Sequence, residues 1–426
     1  MPSRSAQTTF HWYFDEEARQ REELLLGGRE QHGLRWISRG QRRLARVLIG
    51  LALLAVVVSL GREYLVWEET RMRAIIGQSV QVEAWAWQRL DYAAITASLD
   101  PEARADWVRW HTQSQQGRRT WAGRDARLPQ VEVGQVEFLG RGRALVEVRL
   151  AAAEVPDVEQ YREYRIYRNL AGEWLRTSTD TRLWGAQAEQ TAGIFHFVYN
   201  AQDAVAVEKV VLQAETIWQN LHERLGLTTT SGNPSFQIVI QGENVGNGAT
   251  RFEGDRLLLL SPKLTRSPVY EDESQTLSRM LSTALTRRAM DRFMQGRGFD
   301  PRWSVTYEAA LEWLAEEVNP LLPRDPRQES GALRKRVAQF GLPRLDDLLE
   351  KRHAGYYWWA GWASSAGHSL LAYAMNTYGA ERIDDLIVGL TTAQDWEELS
   401  QSVFGVSAGE LESGWHGYLR WRYGLE

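Results

Sequence analysis

The sequence predicts a multidomain α+β protein: a single N-terminal transmembrane helix, a small α+β domain, then a mainly helical domain opened by a small sheet. Three observations predict it. The run LARVLIGLALLAVVVSL at residues 44–60 is the most apolar stretch of the chain. Strand-like alternation follows a helical stretch between residues 66 and 184. From residue 271 onward the apolar spacing is almost entirely helical. With 426 residues, 43% hydrophobic and 25% charged, the chain is long enough for about two or three domains with sizeable cores.

Residues 1–43 are polar and arginine-rich and are expected to form a tail. The apolar run that follows has an uninterrupted core at residues 47–60, shorter than the ~20 residues a span needs. Extending it over residues 44–65 reaches that length if Arg46 carries its guanidinium to the headgroups. Tyr64 and Trp67 suit the far interface. Arg35, Arg39, Arg42, Arg43 and Arg46 precede the span, whereas Arg62 is offset by Glu63, Glu68 and Glu69. The positive-inside rule then puts the tail in the cytoplasm and the bulk of the chain outside, on the cell membrane. A cleaved signal peptide and a buried core helix compete with this reading. The first lacks an Ala-x-Ala site, and the second is at odds with a run that is apolar all round and flanked by arginines.

Residues 66–186 are expected to form one domain. Residues 68–98 are helical by the spacing of Ile75, Ile76, Val80, Ala84, Trp87, Tyr92 and Ile95. Asp100-Pro101 opens another helix, with Trp107 and Trp110 on one face. Four strand-like runs follow, at residues 131–138, 144–152, 159–169 and 173–183. Gly134 marks a bulge in the first. In the second, Val146, Val148 and Leu150 share one face, and Glu147 and Arg149 the other.

Residues 187–192 read as a link. Residues 193–200 read as a strand and 201–225 as a helix with one apolar stripe: Val207, Val210, Val211, Ala214, Ile217, Leu221 and Leu225. Strands at 236–241 and 256–260 flank a Gly/Asn-rich loop. That loop lacks a Gly-Lys-Ser/Thr ending, so no nucleotide site is expected. Two helices, 274–293 and 302–318, come next. The chain then closes on helices, the last opened by Ser407-Ala408-Gly409-Glu410, a capping box.

Composition narrows the chemistry. A net charge of -5 gives no case for nucleic acid. The absence of cysteine removes disulfides, thiol nucleophiles and thiolate metal sites. Nineteen tryptophans are dispersed along the chain, which is what packing requires. Gly-x-Ser-x-Gly is absent, and the carboxylates Glu308, Glu312, Glu316 and Glu317 recur as on any charged helix.

Two stretches resemble known families. Trp85-Ala86-Trp87-Gln88-Arg89-Leu90-Asp91-Tyr92, Tyr164-Arg165-Ile166-Tyr167-Arg168 and Gly172-Glu173-Trp174-Leu175-Arg176-Thr177 are similar to the nuclear transport factor 2-like cone fold over residues 66–184. That resemblance implies a helix-lined, curved sheet serving as a pocket, a binding module or a spacer. Asp91 and His111 are its pocket candidates. The second stretch is larger. An aromatic-rich helix ending in Tyr378-Gly379, then Leu386-Ile387-Val388-Gly389-Leu390, then Phe404-Gly405-Val406-Ser407 and Leu411-Glu412-Ser413-Gly414-Trp415 closely resemble peptidase MA-like (gluzincin) domains. So does Thr306-Tyr307-Glu308-Ala309-Ala310-Leu311-Glu312-Trp313, similar to their second zinc-ligand helix. The resemblance covers residues 190–424.

Gluzincin chemistry places His-Glu-x-x-His on one helix and a glutamate on the next. The pattern falls on Thr283-Ala284-Leu285-Thr286-Arg287. The first ligand position is then Thr283, the base Ala284 and the second ligand Arg287, and only Glu308 retains its type. Residues 271–318 hold no histidine, and His196, His353 and His368 have no i, i+4 spacing. No metal, cofactor or catalytic residue is therefore expected. Either Arg287 or Arg288 pairs with Glu308 where zinc would bridge the helices, or both arginines simply face water. The implied function is binding or scaffolding outside the cytoplasm, with a protein or peptide in the old cleft. An unconventional zinc metallopeptidase and an anti-sigma-like signalling protein acting through its tail are the alternatives.

Overall fold

The computed structural model describes residues 39–89, 91–104, 130–140, 142–151, 160–179, 181–227, 235–242, 250–322, 333–334, 337–338, 341–349 and 357–423. Residues 1–38 of the tail, Trp107, Trp110, His111, part of the glycine-rich loop and His353 lie outside them. The chain divides into two compact units at Met72/Arg73. It is a mixed α+β protein with nine helices and two sheets among the described residues.

Helix α1 runs unbroken from Arg39 to Arg89. Along its first half, from Val47 to Trp67, large apolar side chains are exposed on every side. It is the one helix among the described residues long and apolar enough to cross a membrane. From Ile76 the character changes: Ile76, Val80, Glu83, Ala84 and Ala86 are buried. The end of the apolar run thus falls inside a continuous helix. Asp91 then caps α2 (Tyr92–Ala97) by accepting the Ala94 amide at 3.0 Å.

The first sheet is antiparallel. Its strands are β1 (Gln130–Gly140), β2 (Arg143–Ala151), β3 (Gln160–Leu170), β4 (Glu173–Thr177) and the two-residue β10 (Ser267–Pro268). The order is β1-β2-β3, with β4 and β10 sharing the far edge of β3. The register slips between Val133 and Val136, around Gly134. A Cβ there would meet the Glu147 carboxyl at 2.9 Å. Glu147 is consequently buried in the bulge, where it accepts the Gln135 amide and pairs with Arg149, and does not face water as the alternation implies. The last strand-like run also ends earlier than its sequence suggests. β4 stops at Thr177 and a 3₁₀ turn spans Thr181–Leu183. Both faces of this sheet are covered. Glu83 of α1 reaches β3 and β4 on one side. On the other, Trp184 and Leu264 pack with Leu145 and Ile166.

The second sheet has the order β5-β6-β7-β9-β8. Residues 187–192 are not a link: they form β5 (Gln187–Ala192), antiparallel to β6 (Phe195–Asn200). With alternate residues exposed and half-buried, β5 has the weak pattern of an edge strand, and only its pairing partner reveals it. β6, β7 (Phe236–Gln241) and β9 (Arg256–Leu260) are parallel, and β8 (Thr250–Glu253) is antiparallel to β9. Helix α3 (Ala204–Arg224) crosses from β6 to β7, as parallel neighbours require. Its whole expected stripe is buried, against Phe195, Phe197, Phe236 and Ile238.

The remaining helices share that core: α4 (Glu273–Met294), α5 (Ser304–Glu317), α6 (Tyr357–Tyr378), α7 (Ile383–Thr392), α8 (Trp396–Phe404) and α9 (Ala408–Tyr423). Asp272 and Gln275 close a capping box at the start of α4. Gln295, in the left-handed region at φ 46°, ends it. Trp303, wholly buried at the start of α5, donates its indole N–H to Ala393 at 3.2 Å and meets Trp396 edge-on. Gly367 lets α6 close on α5, because a Cβ there would lie 3.0 Å from that of Ala309.

Candidate functional site

Helices α4 and α5 lie antiparallel, and four contacts fix their register. Arg279 pairs with Glu316 at 2.8 Å, and Arg287 with Glu308 at 3.0 Å. Eight residues forward on α4 thus correspond to eight residues back on α5. Just past the end of α5, Asn319 accepts from the Ser278 hydroxyl at 2.9 Å and donates to Ser282 at 3.0 Å. Asn319 is buried, and its carbonyl oxygen also accepts the Leu321 amide.

The four positions singled out in the sequence divide between two environments. Thr283 is half-buried, one turn before Arg287 on the same face. Ala284 is buried in the core with Leu281 and Leu285. Arg287 and Glu308 meet across the two helices but are 54% and 52% exposed. The ion pair and the solvated face are therefore both real. Such a pair contributes ~0–1 kcal/mol. Glu308 is wet enough to need no cation on desolvation grounds.

This donor set does not fit zinc. A hydroxyl, a guanidinium and one carboxylate do not supply the imidazole and carboxylate ligands that zinc takes. Among the described residues no group of three or more His, Asp or Glu side chains is arranged to hold a metal ion.

The surroundings of the pair are defined by its sequence neighbours. Arg288 reaches Asp255 at 3.4 Å and lies 5.7 Å over the Phe252 ring, tying the β8–β9 hairpin to α4. Tyr307 stacks on Phe299 at 4.3 Å. Burial first, then the charges of Asp291 and Glu308, push the Tyr307 hydroxyl above the usual range, so it stays protonated.

The histidines are spread apart. His196 faces Glu189 at 3.3 Å, exposed on the second sheet. His368 of α6 stands 3.5 Å from Glu316, so Arg279 and His368 share that carboxylate. His222 is buried against Trp218, 4.5 Å between rings, and neither ring nitrogen has a hydrogen-bond partner among the described residues. Burial, then the charge of Arg292, lowers its pKa and keeps it neutral.

A second polar cluster lies inside the first sheet. Glu83 is 1% exposed and pairs with Arg176 at 2.5 Å and Arg165 at 3.5 Å. It also accepts the Tyr167 hydroxyl at 2.7 Å. Glu163 pairs with the far side of Arg165 at 2.5 Å. Burial opposes ionisation of both carboxylates. The arginines outweigh it, holding Glu83 below its usual range and Glu163 down to about 2. The two carboxylates are thus paired with the buried Arg165 and the half-buried Arg176. Asp91, a carboxylate considered for a pocket, is a helix cap.

Sequence reasoning missed two sites. One is the Ser278–Asn319–Ser282 seam. Its signal is Ser274, Ser278, Ser282 and Thr286 at i, i+4 spacing, all buried. The other is Asp203, fully buried, which accepts from Trp184 Nε1 at 3.0 Å and Ser261 Oγ at 2.6 Å. Burial pushes its carboxyl up to about 6, against the pull of those two donors.

No protein-family model matches the chain, and none of the curated proteins compared with it is similar in sequence.

Proposed function

We propose that this is a single-pass membrane protein whose bulk lies outside the cytoplasm and whose distal part is a gluzincin-like domain that has lost its metal chemistry. Its role is binding or scaffolding, with a peptide or protein segment held at the face between α4, α5 and the β8–β9 hairpin. The observation that carries this is the Arg287–Glu308 pair. A guanidinium bridges two antiparallel helices at the positions where the gluzincin resemblance calls for a zinc-bound histidine and glutamate. A β-α-β-β sheet, α3 and the helices from α4 onward support the same reading. The helix-covered first sheet supports a cone-like spacer near the membrane, since its interior charges are paired with one another. The membrane reading rests on the apolar, fully exposed first half of α1 and on the arginines before it.

Metal analysis of the purified chain, with a peptidase assay run with and without chelator, tests the proposal. The expected result is no stoichiometric zinc and no chelator-sensitive cleavage. Zinc at one per chain together with chelator-sensitive cleavage would establish an unconventional metallopeptidase instead.

A further inference from the structure

Residues 261–272 connect β9 to α4, and they are held at their start, middle and end. At the start, Ser261 donates to the buried Asp203 and Lys263 to Gln202. In the middle, Lys263 accepts the Tyr164 amide at 3.1 Å, and β10 pairs with β3 at Arg162 and Tyr161. Leu264 packs among Leu145, Ile166 and Trp184. At the end, the Arg162 guanidinium donates to the carbonyl of Glu271, whose side chain holds Arg279 of α4. The next residue, Asp272, caps α4.

An ionic chain reaches the same segment from the other side of the sheet. Glu83 on α1 holds Arg165 at 3.5 Å, Arg165 holds Glu163 at 2.5 Å, and Glu163 holds Arg266 at 3.3 Å. Glu163 stays charged throughout the physiological range, so its charge is available to both arginines.

We propose that residues 261–272 are a latch through which the packing of α1 on the first sheet sets the position of α4. A strand of two residues has too few ladder bonds to hold an edge by itself. The ion pairs and the Arg162–Glu271 contact supply the rest. α4 also carries Arg287, so the latch ties the α4–α5 face to the first sheet. This inference stands on the β3–β10 pairing and the ionic chain and does not need the metallopeptidase-like reading.

Hydrogen exchange on the full chain in detergent micelles tests it. Glu83→Gln weakens the ionic chain about two contacts away from the latch. It should raise exchange in peptides covering residues 261–276 by roughly three- to tenfold, beyond its local effect on β3 and β4. Unchanged exchange at 261–276 with a loosened sheet would overturn the latch. Coupling is reciprocal. Asp272→Ala, at an exposed cap unable to unfold the sheet directly, should raise exchange in β3 around Tyr164. Confinement of that effect to α4 would equally overturn it. If Glu83→Gln does not fold, Arg266→Met decides in its place: exchange must rise at both 261–276 and residues 76–86 of α1, and an effect on the first alone refutes the coupling.

Discussion

Asp203 concentrates the tension between burial and charge. It is wholly buried yet sits where Trp184 and Ser261 both need an acceptor. Its native carboxyl keeps a proton up to about pH 6, while the unfolded chain releases it near 3.8. Between those values the native state binds more protons, so this residue's contribution falls as pH rises and is least above pH 6. The penalty at neutral pH is on the order of 3 kcal/mol. Asp203→Asn keeps an acceptor and removes the charge. Stability of the variant relative to wild type should therefore rise from pH 4 to pH 7, as read from urea midpoints. A pH-independent difference would show that Asp203 titrates normally. Glu163 works in the opposite sense. Its native pKa of about 2 contributes stability that is complete above the usual carboxylate range and is lost as pH falls below it.

Between elements, the α4–α5 crossing ranks contacts by burial. The Arg287–Glu308 pair spans the helices in view of solvent, while Asn319 joins them in its absence. Asn319→Ala strands the Ser278 hydroxyl and the Leu321 amide, leaves Ser282 only its bond to the Arg279 carbonyl, and should cost ~1–3 kcal/mol. Arg287→Ala should cost no more than ~1 kcal/mol. Urea unfolding of the two variants checks the order. Equal losses would mean that the exposed pair is a structural bridge of the helices. That outcome would leave the binding proposal without its solvent-facing site.

For the whole molecule, the proposed orientation follows from the arginines before the apolar run, and the absence of cysteine makes it easy to read. A cysteine at Ser5→Cys should react with a membrane-impermeant maleimide only after permeabilisation. One at Gln401→Cys, exposed on α8, should react in intact cells. The reverse pattern would place the bulk of the chain in the cytoplasm and end the extracytoplasmic reading. Helix α1 continues past the apolar run without a break to Arg89, and its buried residues begin only at Ile76.

Much of this was legible in the chain itself. The α3 stripe, the Gly134 bulge, the apolar first half of α1 and the α4–α5 helix pair all follow from spacing within a few residues, because helix and strand faces repeat locally. That residues 271–318 offer no imidazole to a metal was legible too, since they contain no histidine. What sequence could not decide depended on partners far along the chain. β5 looks like a link until β6 pairs with it. Glu147 looks solvent-facing until Gly134 opens a place for it. Ser267 and Pro268 look like a loop until β3 takes them as a strand. Arg287 and Glu308 could be named from sequence, but whether they meet, and how much water reaches them, was settled only by the crossing of α4 and α5. Periodicity records which face of an element is apolar. Only the packed chain sets which element covers that face and how far the burial extends.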